Sequence, residues 1–101
     1  MGKVLFTITG LNFYYGPEIF KKGMEVKIIK EPDNRHDKEA IKVEIKGLGK
    51  VGYVANSTST VLGDTMSAGR IYDRIGKKAK ATVKYVTPRG IICSVNKKEF
   101  K

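Results

Sequence analysis

The sequence has one cysteine, one histidine and no tryptophan among its 101 residues. A lone cysteine, Cys93, excludes an internal disulfide and favours a reducing compartment. Since Cys93 lies in the apolar run GIICSV, we expect a buried thiol rather than a nucleophile. One histidine and one cysteine cannot by themselves supply the four ligands of a structural zinc site.

Long apolar runs and common catalytic motifs are also absent. No segment approaches the roughly 20 apolar residues of a bilayer span, and VLFTI is too short for a secretion signal. The sequence has no Gly-x-Ser-x-Gly motif and no glycine-rich phosphate loop. We therefore expect no membrane span, no cofactor and no enzyme activity of these classes.

Charge is plentiful but uneven. The chain carries 20 Lys and Arg against 10 Asp and Glu, a net charge of +10. Residues 70–101 alone hold a net charge of +8, whereas residues 31–46 are slightly acidic at −1. A concentrated basic region favours a polyanionic partner, with nucleic acid first and an anionic membrane surface second. The alternative is a surface kept basic for solubility.

Period-two alternation of apolar and polar residues dominates the sequence and predicts β-strands. Six segments show it or read as short buried strands: 3–10, 24–30, 40–46, 50–55, 79–86 and 90–95. In the fifth segment, Tyr85 is expected on the apolar face with Ala79, Ala81 and Val83. A helix is predicted near 57–68, and a loop over 12–23 with a helical turn after Pro17. We predict one domain, 1–101, that is mainly β: a small six-stranded barrel with one or two short helices.

Residues 31–39 form an acidic segment within this basic chain. Four carboxylates surround the single histidine, His36: Glu31, Asp33, Asp37 and Glu39. The letters EPDN are typical of a turn, which accounts for Asp33. A divalent cation held by His36, Asp33, Asp37 and Glu39 is the alternative, and it predicts a metal-dependent nuclease or phosphatase.

The segment GLNFYYG places three aromatic residues in a row, Phe13, Tyr14 and Tyr15. An irregular loop cannot direct all three rings into one core, so at least one ring should face outward. An exposed ring near basic residues suits base stacking, because every nucleobase has a π-face. The alternative is a loop that caps an open end of the barrel.

Taken in order, GLNFYYG, EPDNRHDKEAIKV and VGYV resemble the HIRAN domain family from about Thr7 to about Val95. The most specific match is the pattern Glu-Pro-x-Asn-x-x-Asp-x-x-Ala-Ile, formed by Glu31, Pro32, Asn34, Asp37, Ala40 and Ile41. The resemblance implies an OB-like barrel that binds single-stranded DNA and recognises its 3′ end. HIRAN domains occur fused to Swi/Snf-type DNA-dependent ATPases that act on stalled replication forks. The resemblance therefore implies that this chain is a stand-alone relative of those domains, cytoplasmic and associated with the nucleoid. A helicase-like ATPase or another repair protein is the implied protein partner.

The same resemblance implies a set of DNA-contacting residues. They are Phe13 and Tyr14 as paired aromatics, Asn34, His36 and Asp37 around the 3′-terminal nucleotide, and Tyr53 and Asn56 from the segment after the third strand. Asn12 and Asn56 stand where the family has basic residues, which predicts phosphate contacts at Lys77, Lys78 and Arg89 instead. The metal-dependent enzyme and a protein–protein interaction module remain as alternatives to this end-binding hypothesis.

Overall fold

Six antiparallel strands close into a barrel in the computed structural model, which describes residues 4–100. The strands are β1 Val4–Thr9, β2 Glu25–Lys30, β3 Ile41–Ile45, β4 Gly49–Val54, β5 Lys78–Thr87 and β6 Gly90–Val95, and the helix α1 is Ala68–Tyr72. Short 3-10 turns occupy Leu11–Phe13, Pro17–Ile19 and Lys97–Glu99. The strand order around the barrel is β1-β4-β3-β2-β5-β6. The predicted six-stranded barrel is therefore confirmed, although Lys3 of the first predicted strand and residues 1, 2 and 101 lie outside the described residues.

Apolar and polar residues alternate in the sequence because successive side chains of each strand point to the inside and the outside of the barrel. Apolar side chains such as Phe6, Ile28 and Val43 are fully buried inside, and α1 adds Ile71 to the same core. Cys93 is also fully buried, and this burial raises the pKa of its thiol to about 12. The thiol is thus a packing group, as its apolar neighbours in the sequence predict. Within residues 4–100, no helix combines the length and hydropathy that a bilayer span requires.

The inward position predicted for Tyr85 is wrong. The pairing of β5 with β6 shifts between Val83 and Tyr85, where a bulge inserts an extra residue. Because one extra residue reverses which side chains face the core, Tyr85 turns outward and its side chain is 56% exposed. Sequence alternation alone cannot locate such a shift.

The helix predicted over 57–68 is also wrong in position. Ser57 starts only one turn, through bonds from the Thr60 and Val61 amides to its carbonyl, both 2.9 Å long. The backbone then bonds to β1 instead of to itself: the Met66 amide donates to the Leu5 carbonyl at 2.6 Å. Gly63, at φ 54°, also breaks the helical path. The helix begins only after Ser67, where Ala68 and Ile71 supply a buried face.

Candidate nucleic-acid interface

The acidic segment between β2 and β3 is a closed loop built on hydrogen bonds. The Glu31 amide donates to the Ala40 carbonyl at 2.8 Å and joins the two ends, and the Asn34 amide donates to the Glu31 carbonyl at 3.0 Å, so the sequence EPDN forms the expected turn. The Asn34 side-chain oxygen then accepts the amides of His36 at 2.9 Å and Asp37 at 3.0 Å. Asn34 therefore fixes the backbone that carries His36 and Asp37.

Next to this loop lies a pocket of about 400 Å³, a volume within the range of small-ligand sites. Five residues of the predicted site line it: Asn34, His36, Asp37, Tyr53 and Asn56. They come from the acidic loop and from the end of β4 and the residues after it. These two segments meet because the loop leads into β3, which pairs with β4 through Lys42 and Tyr53. Thr9 and Thr60 complete much of the remaining polar wall. The fold thus gathers five predicted residues, up to 22 positions apart, into one cavity.

The Asp37 carboxylate is held by one donor on each oxygen. The Glu39 amide donates to Oδ1 at 2.9 Å, and the Asn56 side-chain amide donates to Oδ2 at 2.8 Å. Asn56 in turn accepts the Gly69 amide at 2.8 Å, which connects the acidic loop to the start of α1. Since each carboxylate oxygen has two lone-pair sites, the half-buried Asp37 can accept a further donor from the pocket. Asn56 is committed to holding Asp37.

Glu31, Lys50 and Tyr53 form a second network beside the pocket. The Tyr53 hydroxyl donates to Glu31 Oε1 at 2.8 Å and accepts from Lys50 Nζ at 2.7 Å, and Lys50 Nζ lies 3.3 Å from Glu31 Oε2. Burial raises the pKa of Glu31, but hydrogen bonds from Asn34, Tyr53 and Lys50 and the charge of Lys50 outweigh it, so the net shift is downward. The hydrogen bond to Tyr53 and the attraction of Glu31 raise the pKa of Lys50, against the effect of burial. Both groups are therefore held in their charged forms.

Lys50 was missed by the sequence reasoning although it touches both halves of the site. Its ammonium lies 4.7 Å from the centroid of the Tyr53 ring and 5.9 Å from that of Tyr14, within the range of cation–π attraction. Lys50 and Glu31 are 19 positions apart, and only the pairing of β3 with β4 brings them together. The available signal was the Glu31 carboxylate in the family pattern, but the sequence did not show which of the 20 Lys and Arg residues would lie beside it.

The aromatic loop faces outward, as the run of three rings predicted. Phe13 is 87% exposed, Tyr14 is 39% exposed, and the Tyr15 hydroxyl donates to the Leu48 carbonyl at 3.2 Å. Phe13 is therefore not a core residue, and it is more accessible than Tyr14. The loop packs beside β4 through the 3-10 turn Leu11–Phe13, which keeps it near the strand that carries Tyr53.

The three predicted phosphate contacts occupy different places. Arg89, in the turn between β5 and β6, lines a cleft of about 180 Å³ together with Asn12 and Thr9. Thr9 also lines the main pocket, so this cleft adjoins the site at Thr9. Lys77 and Lys78 are exposed at the start of β5, and neither lines the pocket; the Lys77 carbonyl accepts the Lys30 amide at 3.0 Å.

The carboxylates proposed to bind a metal do not converge. Within the described range 4–100, no group of three or more His, Cys, Asp and Glu side chains is arranged to hold a metal ion. Asp37 instead directs its oxygens to the Glu39 amide and the Asn56 side chain. Asp33 sits on the exposed turn opened by Pro32.

Comparison with known proteins gives a family and a fold. The HIRAN domain model matches residues 1–98. The structure is similar to the crystal structure of the HIRAN domain of human HLTF, with a TM-score of 0.62 and 18% sequence identity over 93% of this chain and 74% of that chain. No curated protein matches the chain. At this identity the structural likeness speaks for the fold, and it agrees with the OB-like barrel that the resemblance implied.

Proposed function

Since the chain belongs to the HIRAN domain family, we propose that it is a non-enzymatic module that binds single-stranded DNA and recognises its 3′-hydroxyl end. HIRAN domains are DNA-binding modules, and membership of the family supports nucleic-acid binding by this chain. Preference for a single strand and recognition of its 3′ end are proposed for this chain in addition. The observation that carries the proposal is the pocket in which Asn34, His36, Asp37, Tyr53 and Asn56 meet, together with the 3-10 turn that ends at the exposed Phe13 and packs against β4.

The position of Asp37 supports recognition of an end rather than of the middle of a strand. Within a strand each sugar is flanked by phosphates, which a carboxylate repels. A 3′-terminal sugar has a hydroxyl instead, and this hydroxyl can donate a short charge-assisted bond to Asp37. Because the Glu39 amide and Asn56 hold the carboxylate in place, the acceptor is oriented before the strand arrives. Recognition of a 3′-hydroxyl would explain why a chain of net charge +10 carries an acidic loop.

The surroundings of Asp37 suit a nucleotide. His36 is exposed at the pocket wall, where its ring can stack or donate, and Phe13 offers a free aromatic face for a base. Arg89 beside Asn12 supplies a cation near the position where Asn12 replaces a basic residue of the family pattern. We further propose that the module acts with a DNA-dependent ATPase or another repair protein in the processing of stalled forks.

The test is competition between oligonucleotides that differ only at the 3′ end. A 3′-phosphate would meet the Asp37 carboxylate and lose the charge-assisted bond, so we expect a cost of at least about 2 kcal/mol, or more than about tenfold in Kd. A matched pair with and without a 5′-phosphate serves as the control for total charge. Equal affinity for the two 3′ forms would contradict end recognition.

Two variants connect the discrimination to Asp37. Asp37→Asn should reduce the preference for the 3′-hydroxyl, but its amide would also face the Asn56 amide, donor against donor. The double variant Asp37→Asn/Asn56→Asp restores that hydrogen bond and keeps an acceptor for the Gly69 amide. If the double variant regains stability without regaining discrimination, the position of the carboxylate is what reads the end.

A further inference from the structure

The outer wall of the barrel carries two rows of residues that lead away from the pocket. Cross-strand pairing fixes the first row as Lys78 on β5, Ile29 on β2, Lys42 on β3, Tyr53 on β4 and Thr9 on β1. The second row is Lys80, Lys27, Glu44 and Lys50 on the same four strands β5, β2, β3 and β4. Tyr53 and Thr9 line the pocket, so the first row ends inside the site.

The two rows face solvent, because the residues between them along each strand are buried. Ile28 between Lys27 and Ile29, Ala79 between Lys78 and Lys80, and Val43 between Lys42 and Glu44 all point into the core. The rows therefore form one continuous surface. We call the four lysines Lys27, Lys42, Lys78 and Lys80 the lysine face.

The charges of the lysine face are only partly compensated. In the described part of the chain the salt bridges are Lys42 with Glu44 at 2.9 Å and Lys50 with Glu31. Lys27 and Lys80 are direct cross-strand neighbours, an arrangement of like charges that destabilises a sheet when nothing screens it. Lys78 and Lys80 lie two residues apart on one side of β5, which extends the same positive potential. Glu44 faces Lys27 from β3, and the Glu99 carboxylate accepts the Lys80 amide at 2.9 Å, so this repulsion is partly balanced. Lysines still outnumber carboxylates on this surface, which leaves positive charge that an anion can meet.

The shape of the surface suits a chain of phosphates. A groove of about 790 Å³ is lined by Lys27, Lys46 and Lys80. Glu25 and Glu44 also line it, and Lys42 neutralises Glu44. Three strand spacings separate Tyr53 from Lys78 in the first row, about 14 Å along the barrel wall. Lysine acts as a flexible point charge, which fits phosphates that are not read for sequence.

We propose that the lysine face is a second subsite, which holds the phosphates of the single strand 5′ of the nucleotide in the pocket. This inference rests on the proposed function, since the pocket fixes one end of the strand. The strand then passes from Tyr53 over Lys42 and Ile29 toward Lys27, Lys78 and Lys80. Affinity gained from this surface should depend on strand length and salt, whereas discrimination of the 3′ end should not depend on it.

The test is a titration of single-stranded dinucleotide and hexanucleotide, each with a 3′-hydroxyl, against wild type and two charge-removing variants, Lys27→Gln/Lys80→Gln and Lys21→Gln/Lys22→Gln. The last is the matched control, because it removes the same charge from two exposed lysines that lie before β2 and belong to neither row. Since all four lysines are exposed, the thermal midpoint should not fall in either variant, and relief of the Lys27–Lys80 repulsion should raise it slightly in the first. A Lys27→Arg/Lys80→Arg variant, which keeps the charge, should bind like wild type.

The expected result is a loss confined to the longer strand. With a slope of about −0.7 per phosphate contact and equal affinities near 1 M salt, two lost contacts weaken hexanucleotide binding roughly 60-fold at 50 mM salt and roughly tenfold at 200 mM. Dinucleotide binding and the preference for a 3′-hydroxyl should stay within about twofold of wild type. An equal loss in the Lys21/Lys22 control, or an unchanged salt slope in the Lys27/Lys80 variant, would overturn the second subsite. If wild type shows no preference for the 3′-hydroxyl but still gains affinity with length, the end-binding proposal fails and the lysine face stands as a general polyanion surface.

Discussion

The exposed ring of Phe13 gives the sharpest test of how the site holds a base. Phe13 closes the 3-10 turn Leu11–Phe13, and its amide donates to the Gly10 carbonyl at 3.1 Å. The Phe13→Ala substitution keeps this backbone bond and removes a ring that is 87% exposed. Because the ring contributes almost nothing to the core, the thermal midpoint should not fall.

The expected loss of binding energy follows from how much of each aromatic ring, Phe13 and Tyr14, is free to stack on a base. A base stacked on an aromatic side chain is worth about 1–3 kcal/mol by alanine substitution, which is about 5- to 150-fold in Kd. Tyr14 is less exposed than Phe13, and Lys50 Nζ lies 5.9 Å from the centroid of its ring. We therefore expect Phe13→Ala to weaken binding of single-stranded DNA within this range, and by more than Tyr14→Ala.

The assay is fluorescence anisotropy with a labelled 3′-hydroxyl oligonucleotide, alongside thermal unfolding of each variant. Tyr85→Ala is the matched control, since Tyr85 is another exposed ring, 56% accessible, that lines a groove with Val4 and Leu62 instead of the pocket. The control should bind like wild type. Unchanged affinity of Phe13→Ala would refute the stacking argument, and a large drop in its thermal midpoint would refute the reading of the ring as free.

Two further predictions concern stability. Burial raises the pKa of Glu31, but its hydrogen bonds outweigh burial and hold the pKa below its ordinary value. Glu31 therefore adds to the free energy of unfolding at any pH above its ordinary pKa. This contribution is lost as the pH falls through the lowered pKa of the folded state. Urea unfolding from neutral to acidic pH should therefore show a weaker pH dependence for Glu31→Gln, and an identical dependence would contradict the network. The Gly52→Ala substitution should lower the free energy of unfolding, measured in urea, by about 1–3 kcal/mol. A Cβ at position 52 would lie 2.7 Å from Ile8 Cγ2 and 2.8 Å from the Thr9 carbonyl oxygen. If the variant is as stable as wild type, β1 and β4 can move apart at no cost.

Local chemistry was enough to predict the strands and the turn of the acidic loop. Alternation marks each strand because successive side chains point to opposite faces, and EPDN marks the turn because Pro32 and Asn34 act on backbone within a few residues. Both signals are complete within a short window. The family pattern around Asn34 and Asp37 could likewise be found along the chain, since it lies within one loop.

The failures have a common cause in contacts between distant segments. The segment 57–68 has helical spacing, but β1 offers its backbone other partners, including the Leu5 carbonyl for the Met66 amide. Tyr85 turns outward because a bulge forms against β6, and the sequence of β5 does not contain the position of its partner. Each outcome depends on a competing hydrogen bond that only the closed barrel provides.

The sequence by itself determined which residue types the site holds, and the tertiary structure decided which of them meet. Closure of the barrel brings β4 between β1 and β3, and this places Lys50 on Glu31 and Asn56 on Asp37. The pairing of β2 with β5 likewise aligns Lys27 with Lys80, and the neighbouring row through Lys42 and Tyr53 ends in the pocket. These pairings are set by strand register, because a slip of one residue would turn every side chain of a strand to the other face. Register is a property of two paired strands and cannot be found in the sequence of either strand alone.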